Sequence, residues 1–319
     1  IITLFSIMIF IIASLGCYFS TKFEFFIFFR LLQASIAAGF LMSRVIIRDI
    51  TSENEAASMI GYVTMGMSII PLFAPGLGGL IQMLFGWPSI FLTMSLLGLL
   101  LLLLVFRDLG ETKNIKKNKN TKSSASFINL FWEAKLWGYS FTLAFSAGTF
   151  FSFLGGAPYV ATKVYNLNSV VSGLVMGFPA AGYFIGNYLS GRYSKFYGID
   201  YMALRGILLV IFGMFICLVI TVFYRDTPYF FFGLCSFVGL GNGLIIPNAS
   251  VGILSVNENL SGTAGGIGNA IMIGTGAILA SLTSYYLENQ TSSSYLVFIM
   301  LLSGALSYTS LYIFVLRNK

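Results

Sequence analysis

The sequence consists almost entirely of apolar runs of about 20 residues separated by short polar connections, and a helix needs about that length to cross a hydrocarbon layer roughly 30 Å thick. Soluble domains carry about a quarter charged residues. Here 9% are charged and 57% are hydrophobic, with a mean hydropathy of +0.87. The ten-residue stretches of alternating polarity that mark a transmembrane β-barrel are absent. The chain therefore reads as an all-α membrane protein. Its apolar runs fall near 1–20, 23–47, 56–82, 87–106, 135–161, 170–192, 203–223, 229–250, 260–287 and 294–316, which predicts ten crossings.

The connections alternate in charge. One set ("STKFE", "FGW", "TKVYNLNS", "YRDTP", "ENQTSS") carries only Lys22, Lys163 and Arg225. The other carries Arg44, Arg48, Arg107, Lys113, Lys116, Lys117, Lys119, Lys122, Lys135, Arg192, Lys195, Arg205, Arg317 and Lys319. Fourteen cations against three place the second set, and both ends of the chain, in the cytoplasm by the positive-inside bias. That bias also accounts for the net charge of +7 without nucleic acid as a partner. The chain opens at Ile1 already inside an apolar run, with no initiator Met or flanking charge, and so reads as truncated at its N-terminus.

The stretch "RDLGETKNIKKNKNTKSSAS", Arg107 to Ser126, lacks apolar periodicity and reads as a solvated linker; a polybasic patch for anionic lipid is the alternative. The expected organisation is a four-helix bundle over 1–106, a linker over 107–134 and a six-helix bundle over 135–319. Cys17, Cys217 and Cys235 lie in apolar segments with no CxxC spacing, and histidine is absent. No metal, cofactor or catalytic residue is expected. A membrane enzyme or a sensor fits poorly, because interfacial acidic or histidine clusters and a long soluble domain are both missing.

Against this apolar background Arg30 stands out. A charge at mid-membrane depth costs about 2.5–3.5 kcal/mol on insertion scales and so faces a cavity or a partner. Alternatively its side chain snorkels, the near interface being about 12 Å away along the helix. Gln33 follows one turn later on the same face, to orient the guanidinium, contact a substrate or make an interhelical bond. In "SIIPLFAPGLGG", Pro71 and Pro75 each remove a backbone donor, and Gly76, Gly78 and Gly79 remove side chains. Such a segment should kink and admit a neighbouring helix. Asn187, Asn242, Asn248 and Asn269 are polar groups within spans, each needing partners. The GxGxxG-like run from Gly262 to Ala277 has no strand-turn-helix context and reads as a small-residue crossing face.

Four spans, a basic loop and six spans resemble the major facilitator superfamily with the first two of twelve helices removed. "FRLLQASIAAGFLMSRVIIRDI" resembles the fourth-helix motif of drug:proton antiporters. "GYVTMGMSIIPLFAPGLGG" resembles their fifth-helix antiporter motif. Gly61, Pro75, Gly78 and Gly79 match it, while Ile70 and Ala74 stand where the motif has glycine. "RVIIRDI", "FGWPSIF", "FFSFLGGAPYVATKVYNLNS" and "GLGNGLIIPNA" are similar to the bicyclomycin-resistance (Bcr/CflA) branch. The chain departs from the family in having no loop between the second and third family helices. It also has Gly191 where the echo of that loop, "NYLSGRYSKFYG", should be acidic, and Ala34 after the glutamine.

The resemblance implies a monomeric, multi-pass transporter of the bacterial inner membrane that exports small drug-like compounds in exchange for protons by alternating access. A metabolite exporter or uptake symporter of the same fold is the alternative. It implies proton coupling at Arg30, since a fixed cation in a dry cavity lowers the pKa of a nearby acid. That acid is expected on a helix upstream of Ile1, because all eleven acidic residues here sit at span ends or in loops. The 319-residue chain alone is accordingly expected not to transport. Gln33, Met65, Phe150, Phe153, Tyr159 and Asn269 are the implied substrate-cavity residues, with ordinary packing the alternative for each aromatic and methionine. Gly61, Pro71, Pro75, Gly78 and Gly79 are the implied outer seal.

Overall fold

The computed structural model describes residues 2–108, 129–167, 169–223, 227–257, 260–288 and 292–317, with backbone alone at 2, 53–54, 71–76, 79, 108 and 169–170. Most of the expected linker lies outside the described residues. Among those described, the regular structure is helical and no strand occurs. The chain divides into two compact units, Ile1–Ile50 with Leu72–Asn118, and Thr51–Pro71 with Lys119–Lys319.

In the first unit α1 (Ile2–Phe19) packs against α2 (Phe23–Gln33), α3 (Ile36–Ile50) and α6 (Ser89–Asp108). The packed side of α1 is set by small residues: Ala13, Ser14 and Cys17 are fully buried, at the three-to-four-residue spacing of one helical face. Gly98 lets α6 approach α1, since a Cβ there would stand 2.9 Å from Ile11 Cγ1. Between α2 and α3 the chain does not leave the helix; it tightens. The Ala34 and Ser35 amides donate to Leu31 and Leu32 at 3.1 Å, the i to i−3 pattern of a 3₁₀ turn.

The second unit holds α4 (Glu53–Ser68), α7 (Ala134–Tyr159), α8 (Ser169–Val175), α9 (Phe178–Tyr197), α10 (Ile199–Phe223), α11 (Pro228–Ser255), α12 (Ser261–Leu287) and α13 (Ser294–Leu311). The division between units falls near the start of α5 (Ile70–Phe85). By chain order α4 lies in the stretch expected as an N-terminal bundle, yet it packs against α9 and α11. Helix α7 packs against α11, α12 and α13, and serine hydroxyls tie it to α13: Ser303 Oγ donates to Phe145 O at 2.7 Å and Ser307 Oγ to Thr142 O at 3.0 Å. Past Pro158, which lacks an amide hydrogen, α7 widens into a π turn at Val160–Val164.

Seven described helices are long and apolar enough to cross a membrane: Phe23–Ile50, Ser89–Arg107, Ala134–Val164, Ile199–Phe223, Pro228–Ser255, Ser261–Leu287 and Ser294–Leu316. Among the described residues three of the ten expected runs are not among these seven. The apolar part of α1 is a shorter helix, Thr3–Phe19. The run expected over 56–82 is divided at Ile69, and that over 170–192 at Met176 and Gly177, just ahead of Pro179. A proline near a helix start leaves the preceding residues without a continuing amide donor.

Candidate functional site

In the first unit the Arg30 side chain joins a hydrogen-bonded relay. Arg30 Nη1 donates to Gln33 Oε1 at 2.8 Å, Gln33 Nε2 donates to Ser14 Oγ at 2.8 Å, and Ser14 Oγ donates to Phe10 O at 2.7 Å. The geometry follows from the sequence: residues three apart share a helical face, and α1 brings Ser14 against that face. Gln33 and Ser14 are 5% and 0% exposed, whereas Arg30 is exposed. The relay therefore runs from an open end into the protein. The Arg30 guanidinium carbon stands 5.7 Å from the centre of the Phe91 ring, a cation–π contact.

Arg30 and Gln33 line an open hollow of about 510 Å³ with Phe10, Ile27, Leu31, Ala34, Ile36 and Met94. The wall is apolar apart from this pair. Glu24, the acid in the first turn of α2, is six residues away, about 9 Å along a helix. Among the described residues no carboxylate forms an ion pair with Arg30. The hollow thus offers one fixed positive charge, one oriented amide and apolar walls. Its chemistry is complementary to an amphipathic molecule bearing an anionic or strongly accepting group.

The other cavity candidates lie in the second unit. Phe150 and Phe153 come together with ring centres 6.4 Å apart, and Phe153, 1% exposed, is held edge-on by Phe232 at 6.2 Å. Phe231 and Tyr165 complete that cluster, so Phe153 packs in an aromatic core. Met65 on α4, Tyr159 at the end of α7 and Asn269 on α12 are each half-buried.

Of the seal residues, Gly61 makes the tightest contact. A Cβ there would stand 2.6 Å from Gly191 N and 3.1 Å from Asn187 O. Ser58 Oγ, one turn earlier, donates to Gly191 O. This crossing of α4 and α9 also accounts for the missing acid at 191, since a Cβ on Gly191 would lie 2.9 Å from the Tyr62 ring. A Cβ on Gly78 would meet open space. The side chains of Pro71 and Pro75, and the surroundings of Gly79, lie outside the described residues; all three belong to the helical backbone of α5.

Three of the four asparagines are buried in helix crossings. Asn242 accepts from Ser146 Oγ and donates to Thr149 Oγ1 at 3.2 Å, which ties α11 to α7. Asn248 donates to Ser190 Oγ at 2.9 Å and to Leu244 O at 2.7 Å. Asn187 donates to Tyr183 O at 2.8 Å. The sequence reading passed over the seam that sets α9 on α11. Gly182 and Gly186 on one helix, Gly239 and Gly243 on the other, leave no room for a Cβ, which at Gly243 would be 2.5 Å from Asn187 N. The GxxxG spacing on both helices was the available signal. Also missed was Arg44, which reads as a loop-side cation yet is 5% exposed, its guanidinium carbon 4.4 Å from the centre of the Phe40 ring.

Apolar spans packed through glycine crossings, with one cation in an open hollow, define a polytopic membrane protein built to handle small molecules. The chain belongs to the Major Facilitator Superfamily, whose family model matches residues 1–281; this is a family of transporters, not enzymes. The chain is 28% identical over 254 residues to the bicyclomycin resistance protein homolog of Haemophilus influenzae, covering 78% of this chain and 63% of that protein. It is thus aligned with less than two thirds of that relative's length. It is 25% identical to the multidrug resistance protein MdtL of Salmonella typhimurium over 286 residues, 85% of this chain and 70% of that one. The crystal structure of the human organic anion transporter MFSD10 superimposes with a TM-score of 0.67 at 17% identity, covering 96% of this chain and 76% of that one, a likeness of fold.

Proposed function

We propose that the protein exports small, drug-like or amphipathic compounds across the bacterial inner membrane by alternating access, with proton exchange coupled at Arg30. The observation that carries this reading is the relay from Arg30 through Gln33 to Ser14, opening into an apolar hollow of about 510 Å³. A guanidinium in such a place disfavours protonation of any carboxyl group that approaches it. Substrate and proton then compete for the acid, and binding one expels the other. The printed names of the relatives, bicyclomycin resistance and multidrug resistance, support a drug-like substrate and make bicyclomycin the first compound to try.

In this reading the chain contributes ten crossings, with α1, α4 with α5, and α8 with α9 supplying the three beyond the seven long spans. Both ends face the cytoplasm, and the protein acts as a monomer. Residues 1–106 and 135–319 form the two bundles that rock about the substrate, joined by the linker 107–134. Gln33 orients the guanidinium. Met65, Phe150, Tyr159 and Asn269 contribute to the substrate wall, with Phe153 backing Phe150 from the aromatic core, and Gly61, Pro71, Pro75, Gly78 and Gly79 form the outer seal.

The test is substrate-evoked proton flux in proteoliposomes carrying a trapped pH dye. Bicyclomycin should evoke flux with the protein at its full natural length and about a hundredfold less when R30Q is introduced into it, the loss expected when a fixed charge beside a titrating acid is removed. Equal flux from both proteins would refute coupling at Arg30.

A further inference from the structure

Where α9 ends and α10 begins, three tyrosines form an exposed ladder. The rings of Tyr193 and Tyr197 are 6.2 Å apart, and those of Tyr197 and Tyr201 are 5.3 Å apart and near parallel, at 25°. Gly198, with φ of +83°, makes the turn that brings Tyr201 back under Tyr197; a side chain there would be strained. A guanidinium closes each end. Arg192 Cζ lies 5.7 Å from the centre of the Tyr193 ring and Arg205 Cζ 4.9 Å from that of Tyr201. Arg192 is further fixed by donating from Nη1 to Tyr188 Oη at 3.0 Å. The three rings are 37%, 58% and 42% exposed in chain order, and both arginines are exposed.

The nearby acids are engaged elsewhere. Asp200, on the turn itself, accepts from Tyr139 Oη at 2.6 Å. Glu55 accepts from the Ser52 amide and hydroxyl. Among the described residues neither arginine forms an ion pair. Lys195, over the Phe196 ring at 4.9 Å, adds a third cation close by. The ladder stands at one end of a long apolar helix, Ile199–Phe223, the level at which a membrane-spanning helix meets headgroups. Aromatic rings with a polar tip settle at that depth, and a guanidinium fork matches the oxygens of a phosphate.

We propose that this ladder is a seat for anionic phospholipid, with a headgroup phosphate at each arginine and the glycerol and upper acyl chain against the tyrosine faces. Unpaired positive charge at both ends selects a net-negative headgroup over a zwitterionic one. The proposal is independent of the transported compound and of which side of the membrane the ladder occupies.

The test uses the protein in nanodiscs of phosphatidylcholine containing a minor fraction of phosphatidylglycerol, with the lipids retained on release read by native mass spectrometry. The parent protein should retain phosphatidylglycerol preferentially. R192Q and R205Q should each reduce that preference by about fivefold, the effect of one cation at an anionic surface, and the double variant should abolish it. The charge-matched double variant K135Q/R317Q should keep it. Soluble glycerol phosphate at millimolar concentration should not displace the retained lipid. Undiminished preference in R192Q/R205Q, equal loss in K135Q/R317Q, or displacement by glycerol phosphate would each overturn the proposal.

Discussion

The two units hold their helices together by different means. In the first, the most apolar window of Phe23–Ile50 is only 6% buried, and Arg30, Gln33 and Ser14 join in a relay ending at an exposed arginine. In the second, the corresponding window of Ala134–Val164 is 67% buried. Its crossings are made by paired glycines and by asparagines bonded to serine and threonine hydroxyls. Lipid exerts no hydrophobic squeeze on helices, so close approach and interhelical hydrogen bonds must do the holding. Where both are dense, as along α9 and α11, no charge is found between the helices. Where they are sparse, a charge has room. A charge of adjustable surroundings suits a changing site, and a dense seam suits a rigid body that moves as a whole.

The largest effect expected from this contrast is at the dense seam. G186V would drive a branched side chain into the Leu240 backbone and should cost about 3 kcal/mol as overpacking, read as a lowered midpoint of thermal unfolding in detergent. G78A, where a Cβ meets open space, should lie within about 0.5 kcal/mol of the parent. Equal effects at the two positions would break the comparison.

Next in size, N242L leaves the Ser146 and Thr149 hydroxyls without their shared amide and should cost about 1 kcal/mol, near the usual worth of an interhelical hydrogen bond in a membrane. Q33L removes the link between Arg30 and Ser14. It should leave unfolding within about 1 kcal/mol of the parent, because the relay orients a side chain more than it holds a helix. A Q33L loss matching that of G186V would assign the relay to structure.

The smallest effect concerns pH. Hydrogen bonds from the Ser52 hydroxyl, then its amide, hold the exposed Glu55 carboxyl below the usual carboxylate range. A folded pKa below the unfolded one means that the contribution is present above the unfolded value, about 4.3, and is lost as pH falls through the folded value. E55Q should lower the unfolding midpoint slightly at pH 7, where the contribution is present, and match the parent below the folded value, so that this part of the acid-side slope disappears.

Much of this architecture was legible before any coordinates. Helical character and membrane residence follow from run length and charge scarcity, and Arg30 with Gln33 from their spacing on one face. Ser14 was not legible as the third member of the relay, since nothing in sequence pairs positions 19 residues apart. The breaks at Ile69 and at Met176–Gly177 were hidden because hydropathy stays high through them; Pro71 and Pro179 were their only mark. The abundance of aromatic residues hid the role of Phe153, and only packing separates a core ring from a cavity wall. Gly191 read as a lost acid, and its fit beneath Tyr62 became visible only in three dimensions.

The central claim is that position 30 opens onto an aqueous chamber, and cysteine labelling tests it directly. In a background with Cys17, Cys217 and Cys235 replaced by serine or alanine, R30C in proteoliposomes should react rapidly with a charged, water-borne methanethiosulfonate and slow at least about tenfold when transported compound is added. That is the mark of a shared cavity filling with ligand. If R30C stays inert to the charged reagent while a lipid-soluble maleimide labels it, the side chain faces hydrocarbon and the account fails.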